Sequence, residues 1–400
     1  ASSWANARSA GTPADLAFAQ LEALLAGHKA GIDGLLLAVP AGYTREQLGL
    51  LLGICNETGL EVRGLVDAGV AASALDPAPP RVLHLELELH QALLTVLEQP
   101  GTADTGLKRV RYERAPRQGW LALQQVWAQL VAETFIRKTR FDPLHEAASE
   151  QRLFDRIPAW LEDLKHHETL TVDMPVGPDT LSVEVPREDF IGAAQPFYAE
   201  LLKLVQGARA AGERVELRLS HLYADLPGFA ERLATLRDCA VRVLPPGAAA
   251  LGALRHAAAI ERPSDSLTLV WQLPVERAPD AAATGEEAQT PPHLRPTHVL
   301  FGGRAWRIAE QPLTVGWAPG AARALTLPAA APGVSRSHCT LVRRNGAVFV
   351  EDHSTYGSFV NEERVRGRTA LTVGDRLRLG SPGFTLDLIQ LVNDDGTPQD

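Results

Sequence analysis

Apolar residues in the first part of the chain recur at two spacings. Residues 12–30 carry a helical spacing that begins at Thr12, a residue suited to a helix start. Residues 34–39 form a short, continuous apolar run, which is typical of a strand buried on both faces. A second helical pattern over 44–59 and a second strand over 60–66 follow. The alternation predicts an α/β layered domain.

Two apolar stripes at helical spacing occupy residues 119–167. The first contains Trp120 and Trp127, and the second contains Ile157 and Trp160. Tryptophan at helical spacing usually buries apolar area. We therefore interpret both stripes as core packing of a helical region, in preference to a cofactor site.

The pattern changes at residue 275, where Pro, Ala, Thr and Glu become frequent and no hydrophobic period continues. This composition predicts an extended linker over 275–297. Short alternating strands with Gly and Asn turns then predict a β-sandwich over 298–393. The predicted organisation is thus an α/β domain over 1–274, the linker, the sandwich and a tail over 394–400.

Charge and cysteine content narrow the class of protein. The formal net charge of −9 argues against nucleic acid or an anionic membrane as the main partner. The sequence shows neither an apolar run of about 18 residues nor a leader pattern, so we expect no membrane insertion. Cys55, Cys239 and Cys339 lie far apart, which favours thiols in a reducing cytoplasm over disulfides or a zinc site.

Three motifs near the C-terminus place polar side chains in loops between short strands. Residues 333–338 read G-V-S-R-S-H, 351–361 read E-D-H-S-T-Y-G-S-F-V-N, and 371–380 read L-T-V-G-D-R-L-R-L-G. Hydroxyl, guanidinium and amide groups of this kind capture a phosphate or fix a turn. Together the motifs resemble the forkhead-associated (FHA) domain, a β-sandwich family that binds phosphothreonine peptides.

The FHA resemblance assigns roles to individual residues. It implies a phosphopeptide site made by Ser335, Arg336, Thr355, Tyr356 and Arg323. It implies structural roles for Gly316, His338, Gly357 and Asn361, with His338 supporting the loops and Asn361 bridging them.

Two positions depart from the FHA pattern. Trp317 stands where the family has an arginine after Gly316, and Tyr356 stands where it has an asparagine. Loss of an arginine–phosphate contact costs about 1.5 to 3 kcal/mol. Arg323 and Arg336 are the candidates to replace it. Three hypotheses stay open: phosphothreonine-dependent binding, binding of a protein through the same loops without phosphate, and purely structural loop hydrogen bonds by Ser335 and His338.

The region from residue 15 to 260 resembles the nucleotide-binding domain of the seventy-kilodalton heat-shock chaperones. The matching segments occur in the family's order: residues 39–72, 82–97, 181–190, 215–233 and 245–253. The resemblance implies a two-lobed domain of actin-like ATPase fold. Because the chain begins at Ala1 without a methionine, we expect the family's first strands and first phosphate loop to lie upstream.

The nucleotide loops that this resemblance locates are altered. The aspartate of the second phosphate loop aligns with Glu86, and its glycines align with Glu88, Leu89 and His90. Residues 220–225 lack the paired glycines of the adenosine loop. Carboxylates repel a triphosphate, and side chains keep backbone N–H groups away from it. We therefore expect no ATP hydrolysis, no catalytic residue and no cofactor, with ATP and magnesium as the alternative.

His84, Glu86, Glu88 and His90 alternate along one predicted strand face. Their side chains are possible ligands for zinc or another divalent ion. Next-but-one residues on a flat strand lie about 6 to 7 Å apart, so all four cannot converge on one ion. We favour a polar strand face and expect no metal.

The sequence as a whole predicts a cytoplasmic adaptor. An FHA domain would recruit a threonine-phosphorylated protein, and the linker would tether it to a pseudo-ATPase of actin-like fold. The alternative is a nucleotide-binding, chaperone-like switch whose nucleotide state is read by the FHA domain.

Overall fold

The computed structural model describes residues 11–99, 106–263, 267–278, 291–328 and 333–391. The chain divides into two compact units. The first unit comprises Ala1–Leu201 and Val215–Pro279, and the second comprises Leu202–Arg214 and Asp280–Asp400.

The helices precede and separate the strands of the first unit. They are α1 (Pro13–Leu25), α2 (Arg45–Glu57), α3 (Ala68–Ser73), α4 (Trp120–Thr139), α5 (Ala147–Asp163), α6 (Arg187–Ala208), α7 (Phe229–Leu233), α8 (Ala248–Arg255) and α9 (Ala257–Ile260). The last residues of α6 belong to the second unit. Among the described residues, no helix is both long enough and apolar enough to cross a membrane.

The described strands of the first unit form three sheets. They are β1 (Leu35–Val39), β2 (Val62–Asp67), β3 (Arg81–Leu87), β4 (Gln91–Glu98), β5 (Gly106–Pro116), β6 (Thr169–Val176), β7 (Asp179–Pro186), β8 (Val215–Leu219), β9 (Cys239–Val243), β10 (Leu269–Val270) and β11 (Gln272–Pro274). The sheet orders are β1-β2-β10, β11-β5-β4-β3-β8-β9 and β6-β7. In the largest sheet β3, β4 and β5 are an antiparallel meander, and β8 and β9 run parallel to β3.

Local sequence signals account for the first helices. Thr12 accepts a hydrogen bond from the Asp15 amide, and Asp15 accepts one from the Thr12 amide. Thr44 and Gln47 make the same reciprocal capping box at the start of α2. Both predicted helix starts are therefore confirmed, and the predicted strands at 34–39 and 60–66 correspond to β1 and β2.

The tryptophans of the helical region pack in a core. Trp127 is fully buried, and its indole N–H donates to the carbonyl oxygen of Phe190 at 3.1 Å. Trp160, in α5, is also buried. The structure thus confirms the core-packing interpretation of residues 119–167 and divides that stretch into α4 and α5.

Strand β3 is covered on both faces. His84 is 3 % exposed and Leu85 is fully buried, although they point to opposite faces. The His84 ring lies against Gly69 of α3, where a Cβ would come within 3.1 Å of it. The polar face that the sequence predicts is therefore covered by α3 at His84, whereas Glu86 and Glu88 are half-buried.

Residues 275–278 differ from the extended linker that the sequence predicts. Val275 is buried, and the amide of Ala278 donates to the carbonyl oxygen of Ala78 at 2.9 Å. The distant residue Ala78 gives this segment a backbone partner that its Pro- and Ala-rich composition does not reveal. Most of the predicted linker (279–290) and all of the predicted tail (394–400) lie outside the described residues.

The second unit contains a β-sandwich. Its strands are β12 (His298–Phe301), β13 (Arg304–Arg307), β14 (Leu313–Gly316), β15 (Ala324–Thr326), β16 (Cys339–Arg344), β17 (Ala347–Asp352), β18 (Ser358–Val360), β19 (Glu363–Arg364), β20 (Arg368–Leu371), β21 (Arg376–Leu379) and β22 (Phe384–Ile389). One sheet has the order β13-β12-β22-β21-β18-β19, and the other β15-β14-β16-β17-β20. Inward-facing residues such as Leu341, Val350 and Leu377 are fully buried, which is the core that the alternating pattern predicts.

A segment from before the linker completes the second unit. The amide of Ala211 donates to the carbonyl oxygen of Arg364 at 2.9 Å. The carbonyl oxygen of Ala211 accepts from the Thr369 hydroxyl at 3.1 Å. Ala211 is part of the sandwich core. Residues 202–214 are therefore built into the edge of the sandwich at β19 and β20.

Candidate functional site

Residues of all three C-terminal motifs meet at one end of the sandwich, in the loops that precede β16, connect β17 to β18 and follow β21. The loop after β14 lies beside them. The turn 372–375 of the third motif lies at the other end of β21. Gly333 and Gly380 approach so closely that a Cβ on Gly380 would overlap with the Gly333 carbonyl oxygen. Small residues let these loops pack directly against one another.

The end of β14 fixes the Ser335–Arg336 loop. A Cβ at Gly316 would overlap with the carbonyl oxygen of Arg336, so a larger residue would displace the loop. The amide of Trp317 donates to the carbonyl oxygen of Ser335 at 3.3 Å. The amide of Ala318 donates to the carbonyl oxygen of Arg336 at 3.2 Å. Gly316 therefore occupies a position where close backbone approach requires glycine.

His338 connects two of the loops. It is fully buried; its Nδ1 accepts from the Ser335 amide at 3.1 Å, and its Nε2 lies 3.1 Å from the carbonyl oxygen of Gly357. This pair of contacts requires a neutral ring with its hydrogen on Nε2, which donates to Gly357. Burial lowers the pKa of His338, which favours the same neutral form.

Asp352 organises the loop before β18. Its Oδ1 accepts from the hydroxyls of Ser354 and Ser358, each at 2.8 Å. The Ser354 hydroxyl oxygen in turn accepts from the Gly357 amide at 2.7 Å. Gly357 has φ of +91°, which glycine adopts readily. Our sequence reasoning gave no role to Asp352, Ser354 or Ser358, although short polar residues spaced in this way often close turns.

The outer surface of these loops exposes the predicted binding groups. The Thr355 amide donates to the Ser335 hydroxyl oxygen across the two loops at 3.4 Å. Arg336 and Thr355 are exposed, and Tyr356 is 61 % exposed. The structure thus brings Ser335, Arg336, Thr355 and Tyr356 together, and we call these four residues the loop-tip cluster.

Trp317 lies beside this cluster in place of the arginine of the FHA pattern. The Arg336 guanidinium carbon is 5.4 Å from the centroid of the Trp317 ring. Such a cation–π contact at an exposed site contributes about 0.5 to 1 kcal/mol. Trp317 therefore orients the guanidinium of Arg336 at the edge of the loop-tip cluster.

Arg364 is a second cation at the cluster that our sequence reasoning missed. It pairs with Phe359 across the β18–β19 ladder. A Cβ on Gly357 would lie 2.9 Å from Arg364 Nε, so the side chain extends over Gly357. The residue is exposed. Strand register places it there, and the motif spacing carries no signal of it.

Arg323 and Asn361 lie away from the loop-tip cluster. The Arg323 guanidinium donates to the carbonyl oxygens of Gln311 and Arg307, near the end of β14 opposite Gly316. Asn361, with φ of +50°, lies in the turn between β18 and β19. Its side chain contacts Asp375 Oδ1 at 2.8 Å and the Arg376 amide at 3.0 Å. Asn361 thus bridges two turns, and both lie at the end of β18 opposite Gly357.

The sandwich carries a different charge balance from the whole chain. Residues 291–391 contain twelve arginines, no lysine and seven aspartates and glutamates, whereas the full chain has a formal net charge of −9. The local excess of arginine favours an anionic ligand on this unit.

The residues predicted to replace the second phosphate loop lie at the end of β3 and in the turn after it. Glu86 is the penultimate residue of β3, and Glu88 accepts from the Gln91 side-chain amide at 2.6 Å. Burial, with the nearby charges of Glu88 and Asp67, raises the pKa of Glu86 to about 7. No group of three His, Cys, Asp or Glu side chains in the described ranges is arranged to hold a metal ion.

Comparison with protein-family models matches residues 314–380 to the FHA domain. The matched region runs from β14 to the end of β21 and contains every residue of the loop-tip cluster. A comparison of the chain with curated proteins gives no match.

Proposed function

We propose that this protein is a cytoplasmic adaptor whose FHA domain binds a threonine-phosphorylated partner through the loop-tip cluster. FHA domains mediate phosphopeptide-dependent contacts between proteins, and residues 314–380 match that family. The observation that carries the proposal is the alignment of half-buried Ser335 with exposed Arg336 and Thr355, from two loops that His338 holds together. The buried thiols of Cys55 and Cys339 are consistent with a reducing compartment.

The cluster offers the donors that a phosphate group accepts. A phosphothreonine carries a charge of about −1.5 to −2 and three acceptor oxygens. The Ser335 hydroxyl, the Thr355 amide and the Arg336 guanidinium are three donors within one surface. The existing Thr355–Ser335 hydrogen bond is long at 3.4 Å, so a phosphate oxygen would replace it at small cost. Arg364 adds a second guanidinium beside Gly357.

Phosphothreonine dependence is tested with an immobilised library of phosphothreonine peptides and the same library after phosphatase treatment. The phosphorylated library should retain the full chain, and Ser335→Ala or Arg336→Ala should reduce affinity roughly tenfold to a hundredfold. That range corresponds to one charge-assisted hydrogen bond of about 1.5 to 3 kcal/mol.

Two exposed residues provide matched controls for this experiment. Ser337→Ala removes a hydroxyl one residue from Arg336, and Arg344→Ala removes a guanidinium at the other end of β16. Both should bind as the unchanged protein does. Equal retention by the dephosphorylated library would reject phosphothreonine dependence and favour the rival, a protein contact centred on exposed Tyr356 and Trp317.

We further propose that the first unit is a pseudo-ATPase of actin-like fold. Its supporting feature is the sheet order β5-β4-β3-β8-β9, a meander followed by two parallel strands, which fits one lobe of such a fold. Glu86 and Glu88 stand where phosphate-binding glycines and aspartate would be required. Negative charge at that turn opposes a triphosphate.

A fluorescent ATP analogue with magnesium tests this second part. We expect no saturable binding by the full chain at high micromolar nucleotide, and no release of phosphate from ATP. Saturable, magnesium-dependent binding would instead favour the alternative, a nucleotide-dependent switch whose state is read by the FHA domain.

A further inference from the structure

The first unit contains a cavity of about 160 Å³ beside the segments that the pseudo-ATPase proposal treats as altered nucleotide loops. It lies where β3 and β8 end and α8 begins, and its lining includes His84, Glu86, Ser220 and Ala249. A cavity of about 150 Å³ holds one benzene molecule. The space therefore suits a ligand of about six non-hydrogen atoms.

One side of the cavity carries polar groups without partners. His84 is 3 % exposed, and neither its Nδ1 nor the buried Oγ of Ser220 has a hydrogen-bond partner in the described part of the chain. His84 and Glu86 share one face of β3. The Ser220 amide donates to the carbonyl oxygen of Leu85 at 3.0 Å, so Ser220 lies next to Glu86. Buried polar groups left unpaired favour a ligand that supplies the missing hydrogen bonds.

The hydrogen-bond acceptors on this side of the cavity favour a ligand with an ammonium group. Burial, with the nearby charge of Arg218, lowers the pKa of His84 to about 4, so its ring is neutral and one ring nitrogen accepts. The carboxyl of Glu86 and the hydroxyl of Ser220 also accept. A primary ammonium has three donors and no acceptor, which matches three acceptors.

Arg218, which pairs with His84 across β3 and β8, already has acceptors of its own. Arg218 is fully buried; it donates to the carbonyl oxygens of Ser73 and Pro77, and its Nε contacts Glu216 at 2.7 Å. Asp67 contacts Arg109 at 2.6 Å. Glu86 is thus left facing the cavity without a cation of its own among the described residues.

The opposite side of the cavity is the first turn of α8. Gly247, Ala248 and Ala249 line it, and no side chain caps this helix. The Ala248 amide already donates to the carbonyl oxygen of Pro245 at 3.1 Å. The next amides of the first turn have no intrahelical acceptor and carry partial positive charge. A carboxylate is the group that such amides bind.

We propose that this cavity binds a small zwitterion of the amino-acid type, with the size of glycine or alanine. The ammonium contacts Glu86, His84 and Ser220, and the carboxylate contacts the amides that follow Ala248 in the first turn of α8. The apolar lining residues Leu222 and Leu244 accommodate at most a short side chain. This site is independent of phosphopeptide binding, because it lies wholly in the first unit.

Isothermal titration of the full chain with glycine and with L-alanine tests the proposal. A ligand of about six non-hydrogen atoms should bind with a dissociation constant of about 1 mM. Methylamine and acetate each carry one of the two charged groups, and each should bind at least about tenfold more weakly.

Variants separate the site from general effects on the first unit. Glu86→Gln and Ser220→Ala should each weaken glycine binding about tenfold, which is the loss of one ligand contact. Glu88→Gln makes the same chemical change two residues away, outside the lining, and should change affinity by less than about threefold. Failure of glycine and alanine to saturate the unchanged protein would overturn the proposal. So would full affinity in folded Glu86→Gln, with folding checked by circular dichroism.

Discussion

Replacing Arg209 with alanine should lower the free energy of unfolding of the second unit by about 3 to 5 kcal/mol. Arg209 is 3 % exposed, and its Nε and Nη2 contact Glu363 Oε1 at 2.9 and 2.5 Å. Glu363 is itself 7 % exposed. The substitution would remove the buried guanidinium that contacts this carboxylate, and breaking one side of a buried pair is strongly destabilising.

The surrounding contacts make this loss local to the edge of the sandwich. The Gln206 side-chain amide donates to the carbonyl oxygen of Asn361 at 3.2 Å, and the Ala211 amide donates to that of Arg364. Hydrogen exchange of amides in β18, β19 and β20, together with calorimetry, should report the destabilisation. Because Arg364 extends over Gly357, we also expect phosphopeptide affinity to fall.

An exposed ion pair in the same unit is the matched control. Arg376 lies 3.5 Å from Asp387, and both side chains are more than half exposed. Arg376→Ala should therefore cost less than about 1 kcal/mol. Pairing Arg209→Met with Glu363→Gln removes both charges and should recover much of the loss. A decrease below about 1 kcal/mol in Arg209→Ala would contradict the assigned role of this pair.

Glu86→Gln should stabilise the first unit above pH 7 by up to about 3 kcal/mol. The pKa of Glu86 is raised from its ordinary value of 4.5 to about 7, chiefly by burial. The native state therefore holds the proton more tightly than the unfolded state between pH 4.5 and 7. The unchanged protein loses stability as the pH rises through this window, and glutamine, which does not ionise, avoids that loss.

The difference between variant and unchanged protein isolates the Glu86 effect. His84 has the opposite dependence: its pKa is lowered to about 4, so its contribution is present above pH 6.5 and is lost as the pH falls towards 4. Both proteins contain His84, so its contribution cancels in the difference between their free energies of unfolding. Urea unfolding at pH 4.5 and pH 8 should show a near-zero difference at the lower pH. An equal difference at both values would contradict the prediction.

The sequence by itself determined the features that depend on short-range patterns. Thr12 and Thr44 start helices because each caps a backbone amide three residues away. The sandwich followed from alternating apolar residues and glycine turns, and the loop motifs led to the FHA domain that the family match supports. Ser335 and Thr355 were found because they lie within those motifs.

Tertiary structure alone decided the features that depend on pairing between distant segments. Arg364 reaches Gly357 through the β18–β19 register, and Arg323 turns to the carbonyl oxygens of Gln311 and Arg307 instead. Arg209 lies 154 residues from the carboxylate that it contacts. Local spacing sets which residues share a face of one element. It carries no information on which separate strand or segment will lie beside that face.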